Sequence, residues 1–179
     1  MLLARVGRLA FSLRAAASMQ PAMSMSSSTS SGVRCITSEI FQYHKSPQER
    51  HPECPERVSL VAERLREVPG IDWAKPSAEA DEEARQKALD AVLKVHDPNY
   101  VAGLEQLAKE GGGALDADTF IAPLSYEVGL VAQSAWLDAV DHVLGGGPPA
   151  FALTRPPGHH ALRARGMGFC LFNFAAVAA

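Results

Sequence analysis

Two adjacent histidines, His159 and His160, follow Pro156-Pro157-Gly158 directly after the short apolar run AFALT. Imidazole titrates near neutral pH and its surroundings decide which ring holds the proton. A neighbouring pair beside a metal-bound water is therefore suited to act as base and electrostatic partner. The two prolines stiffen the approach, and Gly158 permits a bend that aims both rings the same way. The same pair also fits a plain surface or packing arrangement, so its chemistry depends on what holds it.

The elements that must do the holding read as follows. AFALT is of strand type and delivers the chain into RPPGHH, and a strand followed by a reactive loop is the α/β pattern, in which ligands bind outside the carboxyl ends of parallel strands. VRCIT, starting at Val33, reads as the first strand. YHKSPQERHPECP is excluded from regular structure by Pro47, Pro52 and Pro55, which remove donors and fix φ. Val58, Val61, Ala62, Leu65 and Val68 recur at helical spacing between Pro55 and the Pro69-Gly70 stop. A second helix is expected from Ala80 to Val95, opening on the acids Asp81 to Glu83, and a third from Asp97 to Lys109, with Asp97 as cap and Pro98 at the first position. All three helices are expected on the outside of a sheet. LDADTFIAP reads as a loop with two close carboxylates, and Ser125 to Leu144 as a long amphipathic helix stopped by Gly145 to Pro149. The chain finishes in NFAAVAA, an Ala-rich helix start with no stop signal.

Composition narrows the class. The 179 residues are 47% apolar and 21% charged, which is globular composition. Residues 1 to 38 carry Arg5, Arg8, Arg14 and Arg34 and no acid, whereas the rest has a surplus of acids that argues against a nucleic-acid groove. Arg on a Leu/Ala/Phe background followed by a Ser-rich tract makes residues 1–32 read as an organelle transit peptide, mitochondrial or chloroplast, or else a disordered tail. Without such an address the cytoplasm or nucleus is expected. No uncharged run of about 18 apolar residues suggests a membrane span. Cys35, Cys54 and Cys170 have no C-x-x-C spacing and fit neither a disulfide scaffold nor a Cys-based zinc site.

RPPGHHA followed by GMGFCLFN resembles the histone deacetylase superfamily, and more particularly its class II-like and acetylpolyamine amidohydrolase branches, which favour Arg-Pro-Pro before Gly-His-His. HPECPERV at 51–58, VHDPNYV at 95–101 and DADTF at 116–120 agree in order and spacing, so the resemblance covers roughly Val33 to Ala179. It implies an α/β fold, a three-layer parallel sheet of the arginase/deacetylase type, incomplete in this chain. It implies a hydrolase in which Zn2+ polarises an N-acetyl carbonyl and acidifies its bound water, releasing acetate and a free amine from an acetylated protein or a small acetylated amine. A role as chromatin regulator is part of that family picture, with no direct nucleic-acid binding and the oligomeric state left open.

Carried over by residue, the resemblance makes His160 the general base and His159 the imidazole that supports charge and protonation of the leaving amine. Phe169 walls a narrow tunnel for the acyl-lysine stem and the Gly168 backbone contacts substrate. Asp118, or Asp116 if the loop alignment slips by two, is the rim carboxylate that accepts amide hydrogen bonds. Arg57 lines the inner cavity below the zinc, and Cys170 is a buried neighbour without a ligand role. Each has a plainer reading: Phe169 as core, either Asp as an Asx turn, Arg57 as a helix-surface arginine.

The family's zinc ligands, two Asp and one His, and its oxyanion-stabilising Tyr lie beyond the nine residues that follow the GFC turn, so metal ligands are expected beyond Ala179. Independently of any family, no acidic residue follows Asp141 and no third His lies near His159 and His160. A truncated chain is expected to be inactive alone. A remnant that binds acetylated ligands or a partner without hydrolysis is the alternative. A ureohydrolase of the related arginase fold with two manganese ions is the weaker one, since it expects clustered Asp-x-His motifs.

Overall fold

The computed structural model describes residues 32–48 and 50–179, so the transit-peptide reading of residues 1–32 lies almost entirely outside the described residues. Strand β1 (Val33–Ile36) is central, with β2 (Ile71–Ala74) on one side and β5 (Ala150–Ala152) on the other, both parallel to it. Cys35 faces Trp73 of β2 and Phe151 of β5 in register. Helix α1 (Glu56–Arg66) joins β1 to β2. Helices α2 (Glu82–Val95), α3 (Pro98–Lys109) and α4 (Ser125–Leu144) lie between β2 and β5. Side chains of a strand alternate between faces, and β1 shows it: Cys35 packs with Val58 and Ala62 of α1 and with Leu153, while Arg34 and Ile36 share a cleft with Asp138 and Asp141 of α4. This is the helix–sheet–helix layering expected, built on three parallel strands.

The helix ends follow the sequence signals closely. Asp81 caps α2 by accepting from Glu83 N, which moves the start two residues past Ala80, and Asp97 caps α3 through Asn99 N at 2.8 Å. Three features differ from the sequence reading. The strand IDWA of β2 was not anticipated, because four residues with an exposed Asp72 give too short an alternation to read. The loop around LDADTF contains a two-residue antiparallel pairing, β3 (Gly113–Ala114) with β4 (Phe120–Ile121). Helices α2 and α3 pack chiefly on α4 and not on the sheet; only α1 of the first three helices covers the strands. The main apolar cluster therefore gathers around α4, with Val92, Leu104, Leu130, Phe172 and Phe174 almost fully enclosed. The chain closes with α5 (Phe174–Ala178), capped by Asn173 through Ala176 N.

Candidate active site

β5 ends at Ala152, and Leu153 continues its course by donating to Ile36 O at 3.0 Å and accepting from Thr37 Oγ1 at 2.8 Å. Two residues on, Arg155 is 1% exposed and is anchored three ways. Nε and Nη2 reach the two carboxylate oxygens of Glu53 at 3.0 and 2.5 Å, and Nη1 reaches Phe41 O at 2.6 Å. A guanidinium out of water persists only with its donors matched, and the bidentate fork supplies that match. Glu53, fully buried, also lies 3.5 Å from His44 Nε2 and 3.4 Å from Arg57 Nη1. The Ser125 hydroxyl accepts from Ala122 N and lies 2.6 Å from His44 Nδ1, while Nε2 of the same ring faces Glu53. Burial, with the Arg155 guanidinium nearby, pushes the His44 pKa down to about 3, so this ring is neutral.

The anchored Arg155 leads through a cis Arg155–Pro156 bond into the histidine loop. His159 and His160 are both exposed, with ring centroids 4.1 Å apart. Their backbone N–H groups converge on the buried Cys170 sulfur at 3.4 and 3.5 Å, and the Cys170 thiol donates to Gly168 O at 3.4 Å. Met167 and Cys170 exchange backbone hydrogen bonds around a two-residue turn whose central residues, Gly168 and Phe169, have φ of +57° and +67°. Positive φ at both positions is what a primed hairpin turn requires, and for Phe169 it is a strained conformation. A Cβ on Gly168 would come within 2.9 Å of the His160 ring, so glycine is required both by the turn and by the close approach.

The return of the loop is pinned by VHDPNY. His96 Nε2 accepts from Asn173 N at 2.9 Å, which places its proton on Nδ1, and Nδ1 donates to Arg163 O at 3.2 Å. Burial lowers the pKa of this ring as well. Tyr100 donates to Leu171 O at 2.7 Å.

The two carboxylates of DADTF have separate tasks. Asp116 Oδ1 accepts from Asp118 N and Thr119 N at 3.1 and 2.7 Å, an Asx turn. Asp118 is exposed, and its carboxylate takes one intramolecular bond, from the Thr119 hydroxyl at 3.2 Å. Thr119 Oγ1 in turn accepts from Phe169 N at 3.1 Å, and His51 Nε2 donates to Asp118 O at 3.0 Å. His159 and His160 adjoin each other, Gly168 lies against the His160 ring, and Thr119 links the Phe169 backbone to the Asp118 carboxylate. Arg57 stands in the first turn of α1 with its side chain 51% exposed and reaches the cluster through Glu53 Oε1 at 3.4 Å. No group of three His, Cys, Asp or Glu side chains among the described residues is placed to hold a metal ion. Sequence reading missed Thr119, His51, His44, His96 and the Glu53–Arg155 pair. The signal for the pair was present, as Glu53 is the acid enclosed between Pro52 and Pro55 in a segment that cannot form regular structure.

The histone deacetylase domain family matches residues 51–179. An uncharacterised protein of Synechocystis is 46% identical over 146 residues, spanning 80% of this chain and 46% of its own length. The chloroplastic histone deacetylase 14 of Arabidopsis thaliana is 33% identical over 74% of this chain and 34% of itself. The human polyamine deacetylase HDAC10 is 37% identical over 72% of this chain and 20% of itself. The crystal structure of the HDA15 HD domain superposes with a TM-score of 0.69 at 28% identity, covering 83% of this chain and 42% of that domain. The chain therefore spans less than half the length of each of these relatives.

Proposed function

The chain belongs to the histone deacetylase domain family, and on that premise we propose that it carries the proton-transfer and substrate-rim part of a zinc-dependent deacetylase that hydrolyses an N-acetyl amide. The observation that carries this reading is the exposed His159–His160 pair, held at 4.1 Å by the Cys170 clamp beside the left-handed Gly168-Phe169 turn. In this reading His160 takes the proton of the attacking water and His159 supports charge and returns a proton to the leaving amine, so that acetate and a free amine result. Phe169 walls the entry and Asp118, whose carboxylate is largely unengaged, accepts donors of the bound substrate. The described residues do not supply a zinc ligand set. The proposal places the ligands elsewhere and gives this chain's own groups protonic and positional tasks. Taken alone, the chain is proposed to be inactive.

The substrate is an acetylated lysine of a protein or a small acetylated amine, the latter supported by similarity to the human polyamine deacetylase. A plastid address is supported by the chloroplastic relative and by the Arg- and Ser-rich, acid-free residues 1–32. The test is release of acetate from an acetyl-lysine peptide and from an N-acetylated polyamine by the protein that carries this chain, with and without added zinc. Turnover of either substrate that is lost with His160→Ala supports the reading, and turnover that survives this change sinks it. That no such ligand group lies among the described residues favours one second reading, a protein that holds acetylated ligands or a partner without hydrolysis. Saturable binding of the peptide without acetate release would select it.

A further inference from the structure

We propose that Thr119 is a positioning residue that couples the Asp118 carboxylate to the Phe169 backbone and so fixes the distance between the rim and the wall of the substrate opening. The inference rests on the deacetylase reading for what Asp118 and Phe169 touch, but the coupling itself stands on geometry.

Thr119 is 1% exposed and has one hydroxyl proton. Phe169 N–H can only donate, so the hydroxyl accepts there at 3.1 Å, and its proton is left for Asp118 Oδ1 at 3.2 Å. The direction of both bonds is therefore settled without seeing hydrogens. The residue cannot drift, because its own N–H is held by Asp116 Oδ1 at 2.7 Å and its carbonyl accepts from Leu115 N at 2.8 Å.

At the far end of this relay sits a non-glycine residue at φ +67°, a conformation that lasts only where its surroundings over-determine it. The Thr119 oxygen is the acceptor for the Phe169 N–H in that conformation. A second tie runs in parallel. His51 Nε2 faces the Asp118 carbonyl, which can only accept, so it donates there at 3.0 Å; its Nδ1 lies against the Glu53 backbone, and the ring stands edge-on to Phe169 with centroids 5.0 Å apart. Rim and wall are thus joined by a side-chain hydroxyl and an imidazole.

The experiment compares Thr119→Val, which keeps the shape and removes the hydroxyl, with Thr119→Ser, which keeps the hydroxyl. The first readout is amide hydrogen exchange at Phe169 in the full chain, which needs no substrate. The valine variant is expected to exchange about tenfold faster there and the serine variant to stay within about twofold of the parent. Should the valine variant lose cooperative unfolding, Thr119→Ala carries the same expectation. Unchanged exchange at Phe169 in a folded hydroxyl-free variant would overturn the coupling. The second readout is kinetic, in the protein that carries this chain. KM for the acetylated substrate should rise roughly tenfold with kcat nearly constant, and serine should restore it. A fall in kcat at constant KM would overturn the rim role. If the parent turns over no acetylated amine at all, the deacetylase reading fails, and the exchange result still decides the coupling.

Discussion

Replacing Arg155 by Met strands a carboxylate. Glu53 is fully buried and takes two hydrogen bonds from Arg155, its remaining neighbours being the long contacts to Arg57 and His44. Breaking a buried pair from one side leaves an uncompensated charge and typically costs about 3–5 kcal/mol, and the freed Phe41 carbonyl adds about 1 kcal/mol. With a urea m-value of about 1–3 kcal/mol per molar for a chain of this size, the midpoint should fall by roughly 1.3 M or more. That is a large fraction of the roughly 5–15 kcal/mol that ordinary domains possess. Glu53→Met should lose a similar amount, for the mirror reason that the guanidinium is then unpaired. The double variant removes both charges and should be only about 1–2 kcal/mol below the parent, a strong non-additivity in a double-mutant cycle. Equilibrium urea unfolding of the four proteins measures it. Single variants that each lose less than about 1 kcal/mol, or a double variant equal to the sum of the singles, would refute the reasoning that the pair is a mutually dependent buried unit.

Other outcomes follow from the same geometry. His44 has a pKa of about 3 when folded and 6.5 as its ordinary value, so the unfolded chain binds a proton that the folded chain refuses, and stability rises with pH across that window. Between pH 6.5 and about 3 this group should subtract about 1.4 kcal/mol per pH unit on acidification, read as the difference in slope between the parent and His44→Gln; equal slopes would contradict it. Gly168→Ala places a Cβ 2.9 Å from the His160 ring at a φ of +57°, and should cost about 1–2 kcal/mol in urea unfolding. It should also lower turnover by displacing that ring. His160→Ala removes an exposed side chain and should shift stability by less than about 0.5 kcal/mol while reducing acetate release by about 100-fold or more in the protein that carries this chain. A comparable loss in both would mean the ring is structural.

Much of the frame was legible because local physics sets it. Asp97-Pro98 announces α3 through cap and fixed φ, the apolar spacing from Ser125 to Leu144 gives α4, and AFALT before RPPGHH gives the strand and loop that present the histidines. Where a signal was too short it failed: β2 is four residues and the β3–β4 pairing two on each side, lengths over which alternation carries no information. The packing of α2 and α3 on α4 was also beyond reach, because an apolar stripe shows that a face is buried and not against what.

The sequence by itself determined which residues could do chemistry and that His159, His160, Gly168 and Phe169 lie close together, since they are near in the chain and tied by the turn between them. It could not show that Asp116 closes the Asx turn, nor that Glu53 serves Arg155 across 102 residues, nor that Thr119 reaches Phe169 across 50. Those choices depend on which distant loops the sheet brings to its carboxyl edge. A hydrogen bond's partner is fixed by distance in space and by competing donors, neither of which a linear order of residues contains.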